Sequence, residues 1–471
     1  MPIPVISVAQ MREWETATWA SGQTEEAVIA RVGESVARRV VQLTREGQRV
    51  IVLAGKGHNG DDARAMSGHL IGRDVLFIDA TDPLAATAKF SKAVENDVPA
   101  LIVDGLFGIG LNRPLSNDWS RFIATINQTQ LPVLAIDVPS GLNADTGEVA
   151  AAAIRAAETL TVGAPKRGML LGDAPASVGR LTVLSDVGLV PCPCASEVQW
   201  TMPQDFAGFP PRRGVVTHKG SFGHLGIIAG SRGFHGAAVL ASRGAQRARP
   251  GLITLFTQEE TYVPVASQTQ AVMVSVWDGA SHWERFSALL IGPGLAAPDL
   301  PESVSEFTRD TWKKFEGAVV VDASALNWLP EGDIVTNHVR VITPHPGEAA
   351  RMLGIGTAEV QRDRMSAARL LSKKFGGCWV VLKGHQTIVG RADGKQFVNC
   401  SGSAGLAQGG SGDLLGGNIA GCLAQPTLNA EPELLLRFAV WEHGAAADRL
   451  DAERGAWTVE ELAAELGRQQ G

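Results

Sequence analysis

One pattern governs what this chain can fold into. A short β-branched or aliphatic run stops abruptly at Gly, Pro, Asp or Asn, and a helical segment follows. The pattern appears in "RVIVLAGKGHNGDD", "DVLFIDATDP", "PALIVDGLFGIG", "LPVLAIDVPSGLNADTG" and "TLTVGAPKRG". It resumes in "HLGIIAGSRGFHGAA", "GLITLFT", "ALLIGPGL", "AVVVDASALN", "VRVITPHPGE" and "CWVVLKGHQT". Strands alternating with helices at this pace predict parallel α/β sheets, because a parallel pair needs a crossover connection. Between the two series lies "VGLVPCPCASEVQWTMPQDFAGFPPRRGVVT" (187–217), rich in proline and short of strand pattern. It is expected to be a linker, with domains over 1–200 and 215–471. A length of 471 residues suits two domains or more at roughly 100–200 residues each. Ahead of the first strand, the first ~46 residues predict helix. Val8, Met11 and Trp14, then Val28, Ile29, Val32, Val36 and Val40, fall at helical spacing and are expected to be the core side of a helical cap.

Composition removes several function classes. The net charge is −7, so no electrostatic footprint for nucleic acid or an anionic membrane is present. No apolar run reaches transmembrane length, and "MPIPVISVAQ" has neither a basic nor an apolar leader region. The five cysteines are odd in number and form no CxxC, as expected of spectator thiols in a reducing cytoplasm. "PCPC" has no second ligand pair nearby for zinc. A cytoplasmic protein with small-molecule partners, and with neither nucleic acid nor membrane, is expected; homo-oligomerisation stays open.

In open parallel sheets, ligands sit beyond the carboxyl ends of the strands. "GKGHNG" places Gly55, Gly57 and Gly60 in a G-x-G-x-x-G frame between a strand and a predicted helix (61–70), with Asp79 about 19 residues on. That frame matches the dinucleotide fingerprint, so a nicotinamide dehydrogenase is one reading and a plain tight turn another. Asp104 and Asp137 end two further strands, and Pro139-Ser140-Gly141 makes a fixed turn. Asn59, Asp104 and Ser140 together offer a carboxamide, a carboxylate and a hydroxyl, which suit an alkali or alkaline-earth ion. Taken singly, each is a turn or cap residue.

The second half carries phosphoryl chemistry. In "GLAQGGSGDLLGG" (405–417), Gly409, Gly410 and Gly412 let backbone N–H groups turn inward where a helix begins near Asp413. Asp413 stands where it could take a proton from a hydroxyl attacking phosphorus. Lys383-Gly384, Gly292-Pro293-Gly294, Asp322 with Asn327, and His345 with Glu348 end other strands. For His345 and Glu348, helix capping is the competing reading. A small-molecule kinase fused to a non-catalytic nucleotide-binding module is the alternative function.

The motifs carry a family resemblance. The first half resembles the NAD(P)H-hydrate epimerase domain through "GKGHNGDD", "DGLFGIGLNRP", "DVPSGLNADTG" and "TVGAPKRGML". The resemblance implies a Rossmann-like three-layer α/β domain. It implies that His58, Asn59, Gly60, Asp61, Asp62, Gly108, Ile109, Gly110, Leu111, Asn112, Arg113 and Pro114 touch the hydrated nucleotide. It also implies that Asp137 binds substrate and carries proton chemistry, and that Asn59, Asp104 and Ser140 bind potassium. The family's N-N-G-G-D-G is His58-Asn59-Gly60-Asp61-Asp62-Ala63 here, which sets a negative charge, or a helix N-cap, at position 61. The second half resembles the ribokinase-like fold and, more closely, the ADP-dependent NAD(P)H-hydrate dehydratases. The carrying motifs are "HKGSFGHLGIIAGSRGFHGAA", "IGPGL", "DASALN", "TPHPGE", "LKGHQT" and "GLAQGGSGD". This implies substrate contacts at Ala237, Gly294, His345 and Asp413. Lys383, Gly384, His385, Gln386, Thr387 and Gly412 hold the AMP part of the nucleotide. Asp413 is then the catalytic base, ADP the co-substrate, and magnesium the bridge between phosphates. Two positions depart: the family's D-A-D is Asp322-Ala323-Ser324, and the glycine after "GPGL" is Ala296. Both domains in this order resemble bifunctional NAD(P)H-hydrate repair enzymes.

Overall fold

The structure, a computed structural model, describes residues 2–111, 113–279 and 282–468. The chain divides into two compact units, Ile3–Ser196 and a second from Glu197 onward.

The first unit is built on a six-stranded sheet. Its order is Asp74–Asp79, Arg49–Ala54, Leu101–Gly105, Val133–Ile136, Glu158–Val162 and Arg180–Leu184, and every neighbour is parallel. Alternation along the strands feeds two cores, one on each face. Val50, Val52 and Ala54 join Val28, Val32, Val36 and Val40 of helix Glu25–Leu43. Ile51 and Leu53 join Phe90, Phe122 and Ile126 on the other side. The result is three layers, helix–sheet–helix. Each buried valine of the stripe contributes roughly 1.5–3 kcal/mol of burial. The valines of Glu25–Leu43 therefore form one face of the main sandwich, whereas Met11 and Trp14 pack in a separate cluster with Ile6 and Ala164. The leading segment is two helices, Val8–Ala20 and Glu25–Leu43, parted at Gly22, whose φ is 93°.

The helix after "GKG" begins at His58 and not at residue 61, with Gly57 as its N-cap. Its first turn is polar, so apolar periodicity places the start too late. The same effect moves the start of the later helix to Ser411, two residues ahead of Asp413.

The second unit's strands run Val198–Trp200, Gln396–Val398, Ile388–Gly390, Trp379–Leu382, Arg340–Ile342, Ala318–Val321, Ala288–Ile291, His224–Ile228, Leu252–Thr257 and Met273–Val276. Pairing is parallel except around Ile388–Gly390, which is antiparallel to both neighbours. Part of the proline-rich stretch is thus sheet: Val198–Trp200 pairs with Gln396–Val398. Three residues are too few to show an alternating pattern in sequence. Again both faces are covered, by the clusters around Ala241, Leu415 and Ile419 and around Trp312, Val360 and Leu371.

One helix pair is unusually close. A methyl on Gly417 of helix Ser411–Leu423 would sit 1.9 Å from the Ala241 carbonyl oxygen of helix His235–Ala248. A methyl on Gly244 would sit 2.0 Å from the Leu414 carbonyl oxygen. The helices touch backbone to backbone, which only glycine permits. Gly417→Ala should therefore destabilise the protein by roughly 2 kcal/mol or more from overpacking, although alanine gains about 1 kcal/mol over glycine in an ordinary helix. Denaturant unfolding measures the sign; a stabilised variant would contradict the close contact.

Candidate functional site

In the first unit, a cavity of about 650 Å³ opens at the carboxyl ends of the strands. His58, Asn59, Asp62, Gly108–Leu111, Arg113 and Asp137 line it. Gly60, Asp61, Pro114, Asp104 and Ser140 do not, and Asn112 lies outside the described residues. The fingerprint glycines have a packing reason. A methyl on Gly55 would meet the Leu106 carbonyl at 2.0 Å, and one on Gly60 the Gly55 carbonyl at 2.0 Å, whereas Gly57 faces open space. Asp61 is neither cap nor cavity residue. Its carboxylate pairs with Arg64 at 3.0 Å, and Arg64 also holds Asp79 at 2.9 Å and the Gly55 carbonyl at 2.8 Å. Asp79, the acid of the fingerprint, is thereby taken. Ala63 is fully buried in the core. Of the three departures from the family motif, Asp61 and Ala63 lie outside the cavity lining, whereas His58 is part of it.

Asp137 sits at a left-handed φ of 60°. Its Oδ1 accepts from Lys166 Nζ at 2.5 Å, Val162 N at 3.0 Å and Thr161 Oγ1 at 3.2 Å. Lys166 is wholly buried and also donates to Thr161 Oγ1 and the Val162 carbonyl. Burial, with the charges of Asp137, Asp61 and Glu15, pushes Asp62 up to about 8. The cavity therefore holds one carboxyl raised to about 8 by burial beside a second, Asp137, that is paired with a lysine.

Asn59 and Ser140 meet at the Phe107 carbonyl, and Asp104 holds Ser140 from behind. Asn59 Nδ2 donates to the Phe107 carbonyl at 3.0 Å, and Ser140 Oγ lies 3.3 Å from it while accepting from Phe107 N at 2.9 Å. Asp104 accepts from Ser140 Oγ at 2.6 Å and Ser140 N at 2.9 Å. Burial pushes Asp104 up to about 6, against the lowering effect of the Ser140 and Leu106 hydrogen bonds. Among the described residues, no group of three or more His, Cys, Asp or Glu is placed to hold a metal ion. The donors here are instead one carboxylate, one amide, one hydroxyl and one carbonyl, a hard set of low charge.

In the second unit, helix Ser411–Leu423 presents Gly412 and Asp413 at its N-terminus. Lys383 Nζ bonds Asp322 Oδ1 at 2.7 Å and lies 3.2 Å from where a Gly412 methyl would stand. Burial raises Asp413 to about 7, helped by Asp322 and Glu348 and opposed by Lys383. Burial alone would lower Lys383, but Asp322, Glu348 and Asp413 hold it above its ordinary value. Gly294 has a φ of 66° and packs against helix His235–Ala248; a methyl there would meet the Phe234 carbonyl at 2.5 Å and Ala237 Cβ at 2.9 Å. Ala237 and Gly294 are thus neighbours. His345 caps helix Pro346–Leu353: its Nδ1 accepts from Gly347 N at 3.0 Å, and Glu348 returns a bond to His345 N at 2.8 Å. The capping reading of both residues is present, and His345 Nε2 lies 3.5 Å from Glu348 Oε1. The Lys383–Thr387 segment is a tight turn in which Thr387 Oγ1 donates to the Gly384 carbonyl at 3.0 Å.

Family-level comparison follows from this geometry. The model of the NAD(P)H-hydrate dehydratase family matches residues 225–468, and that of the YjeF-related protein N-terminus matches 76–168. The bifunctional NAD(P)H-hydrate repair enzyme of Coxiella burnetii is 34% identical, over 95% of this chain and 94% of its own. The chain belongs to the bifunctional NAD(P)H-hydrate repair enzymes. The Escherichia coli member is 32% identical over 92% of this chain and 87% of its own. An ADP/ATP-dependent NAD(P)H-hydrate dehydratase from Bacillus subtilis, co-crystallized with ATP/Mg2+, superposes with a TM-score of 0.50 at 31% identity, covering 55% of this chain and 92% of that one.

Three residues of this repair enzyme that support its sites carry no signal in the sequence motifs used above. Lys166 stands inside "GAPKRG" but shows its role only when Asp137 folds onto it. Arg364 donates to the carbonyls of Leu382 at 3.0 Å and Lys383 at 3.1 Å, and also to that of His385, so it holds the whole turn. His443, lowered to about 4 chiefly by burial, lies 3.1 Å from the Ser411 carbonyl under the helix start. All three come from distant segments, and their partners are backbone carbonyls or one buried acid. Lys166→Met leaves Asp137 without its buried partner and should cost on the order of 3 kcal/mol. Urea unfolding checks this, and Lys166→Arg should recover less than half, because the ammonium's three-way site does not fit a planar fork.

Proposed function

We propose that the second unit dehydrates NAD(P)H hydrate at the expense of ADP, and that the first unit interconverts the hydrate's R and S epimers. The observation that carries the reading is the meeting of Asp413, Gly412 and Lys383 at one helix N-terminus. A carboxyl raised to about 7 is a base matched to neutral pH. Amides of the Gly409–Gly412 turn and the Lys383 ammonium suit the charge that develops on a transferred phosphoryl group.

Asp413 takes the proton of the ring hydroxyl, whose oxygen attacks the β-phosphorus of ADP. The bond from that phosphorus to the bridging oxygen breaks, and AMP leaves with the electron pair. The new phosphate ester then expels inorganic phosphate, pushed by the lone pair of the ring nitrogen. Loss of a proton from the neighbouring ring carbon restores the dihydronicotinamide. Hydroxide would be a poor leaving group at that carbon, whereas phosphate is a good one. Ala237, Gly294 and His345 position the hydrate, and Lys383, Gly384, His385, Gln386, Thr387 and Gly412 the AMP part. Magnesium, co-crystallized with ATP in the Bacillus subtilis relative, would supply neutralisation of the nucleotide's phosphate charge.

In the first unit, Asp137 handles the proton of the substrate hydroxyl while Lys166 holds its carboxylate in place. His58, Asn59, Asp62 and the 108–114 loop bind the nucleotide. Asn59, Asp104 and Ser140, with the Phe107 carbonyl beside them, would be the residues to hold potassium. The donor set fits a monovalent cation, and such an ion supplies positive charge that offsets the buried Asp104.

Asp413→Asn should lower ADP-driven dehydration by at least about 10²-fold; near-normal turnover would overturn the mechanism. In the wild type, the dehydration rate should rise as pH climbs through about 7, because Asp413 acts ionised; the dehydration rate recorded from pH 5.5 to 8.5 checks it. For the first unit, R hydrate is supplied with a separate active dehydratase and the Asp413→Asn chain. Accelerated NADH recovery is expected, its loss when Asp137→Ala is added, and its persistence within about twofold in Asp61→Gly.

A further inference from the structure

The second unit contains a cavity that the dehydration chemistry does not use. It encloses about 600 Å³, within the roughly 300–1,000 Å³ usual for small-molecule sites. Helix Ser411–Leu423 runs from one site to the other. Gly412 and Asp413 stand at its N-terminus, and Cys422 lines the cavity near its C-terminus. At 1.5 Å per residue, those ends are about 15 Å apart.

The cavity has an aromatic wall and a cationic rim. Phe206, Phe209, Phe438 and Trp441 line it and stack on one another, with ring centroids 5.1 Å apart for Phe206–Trp441 and 5.2 Å for Phe209–Phe438. Phe209, Phe438 and Trp441 keep part of their surface uncovered. Opposite stand Arg212, Arg213, Arg247 and Arg249, all exposed and, among the described residues, without a carboxylate partner. Arg213 instead lies over the Phe222 ring at 3.7 Å and donates to Gln425 Oε1 at 3.0 Å and to the Arg249 carbonyl. Burial, together with the like charge of Arg249, lowers its pKa from the ordinary value. Glu442, the one carboxylate among the described lining residues, is already taken by Arg449 at 3.0 Å.

In a chain of net charge −7, four uncompensated guanidiniums around one aromatic cavity call for an anion. Guanidinium forks match phosphate oxygens, and flat rings match a base. We propose that this cavity is a second nucleotide site, which takes a nucleoside diphosphate or triphosphate with its base on the Phe438–Trp441 wall and its phosphates on Arg213, Arg247 and Arg249. It performs no chemistry on the nucleotide.

The test is equilibrium dialysis of radiolabelled ADP with magnesium against the full chain, comparing wild type with Arg247→Glu/Arg249→Glu. The wild type is expected to bind one more equivalent than the double variant, or to bind that equivalent at least tenfold more tightly. Cooperative melting confirms that the variant is folded. Arg247→Glu alone, at an exposed helix position, carries the same comparison if the double variant is not. Equal stoichiometry and affinity in a folded variant would overturn the site. Displacement of the extra equivalent by inorganic pyrophosphate as effectively as by unlabelled ADP would reduce it to an anion patch and overturn the role of the aromatic wall. Dehydration turnover is measured separately, so failure here leaves the Asp413 reading untouched.

Discussion

The backbone-to-backbone contact between helices His235–Ala248 and Ser411–Leu423 is the constraint on which the second unit depends. Gly244 and Gly417 remove the side chains that would hold the helices apart. The approach fixes where the second helix begins, and with it where Gly412 and Asp413 face. Gly416 continues the logic toward the sheet, since a methyl there would stand 3.3 Å from Asp322 Oδ2. Asp322 in turn positions Lys383. A chain of close approaches thus links helix packing to the spacing of the charges that serve phosphoryl transfer. Small residues in "GDLLGG" serve both the packing and the chemistry of one helix.

Both units solve the same electrostatic problem. Each brings an aspartate to the end of a sheet strand and sets one lysine ammonium against it. Asp137 has Lys166 at 2.5 Å, and Asp322 has Lys383 at 2.7 Å. Near each of these pairs a second carboxyl, Asp62 or Asp413, is raised by burial, to about 8 and about 7.

The layered α/β architecture was legible because strand runs and turn residues recur at a regular pace, and strand-end motifs placed most site residues at the sheet edges. Helix starts were less legible, because the polar first turns at His58 and Ser411 carry no apolar period. The strand Val198–Trp200 was hidden among prolines, since it is too short to alternate. Lys166, Arg364 and His443 could not be found from spacing, because each meets its partner only across the fold. Asp61 was visible as an added charge, but its neutralisation by Arg64 depends on a helix that starts three residues earlier than the pattern suggests.

The glycine frame at 55–60 has a wider consequence. Two of its three glycines are required by the protein's own carbonyls, and the acid that would complete a ribose site is bound by Arg64. Only Gly57 looks onto unfilled space. A fingerprint of this kind is therefore a statement about how tightly a strand, a turn and a helix are folded together. Whether it also describes a cofactor is decided by what an added methyl would strike, main chain or emptiness.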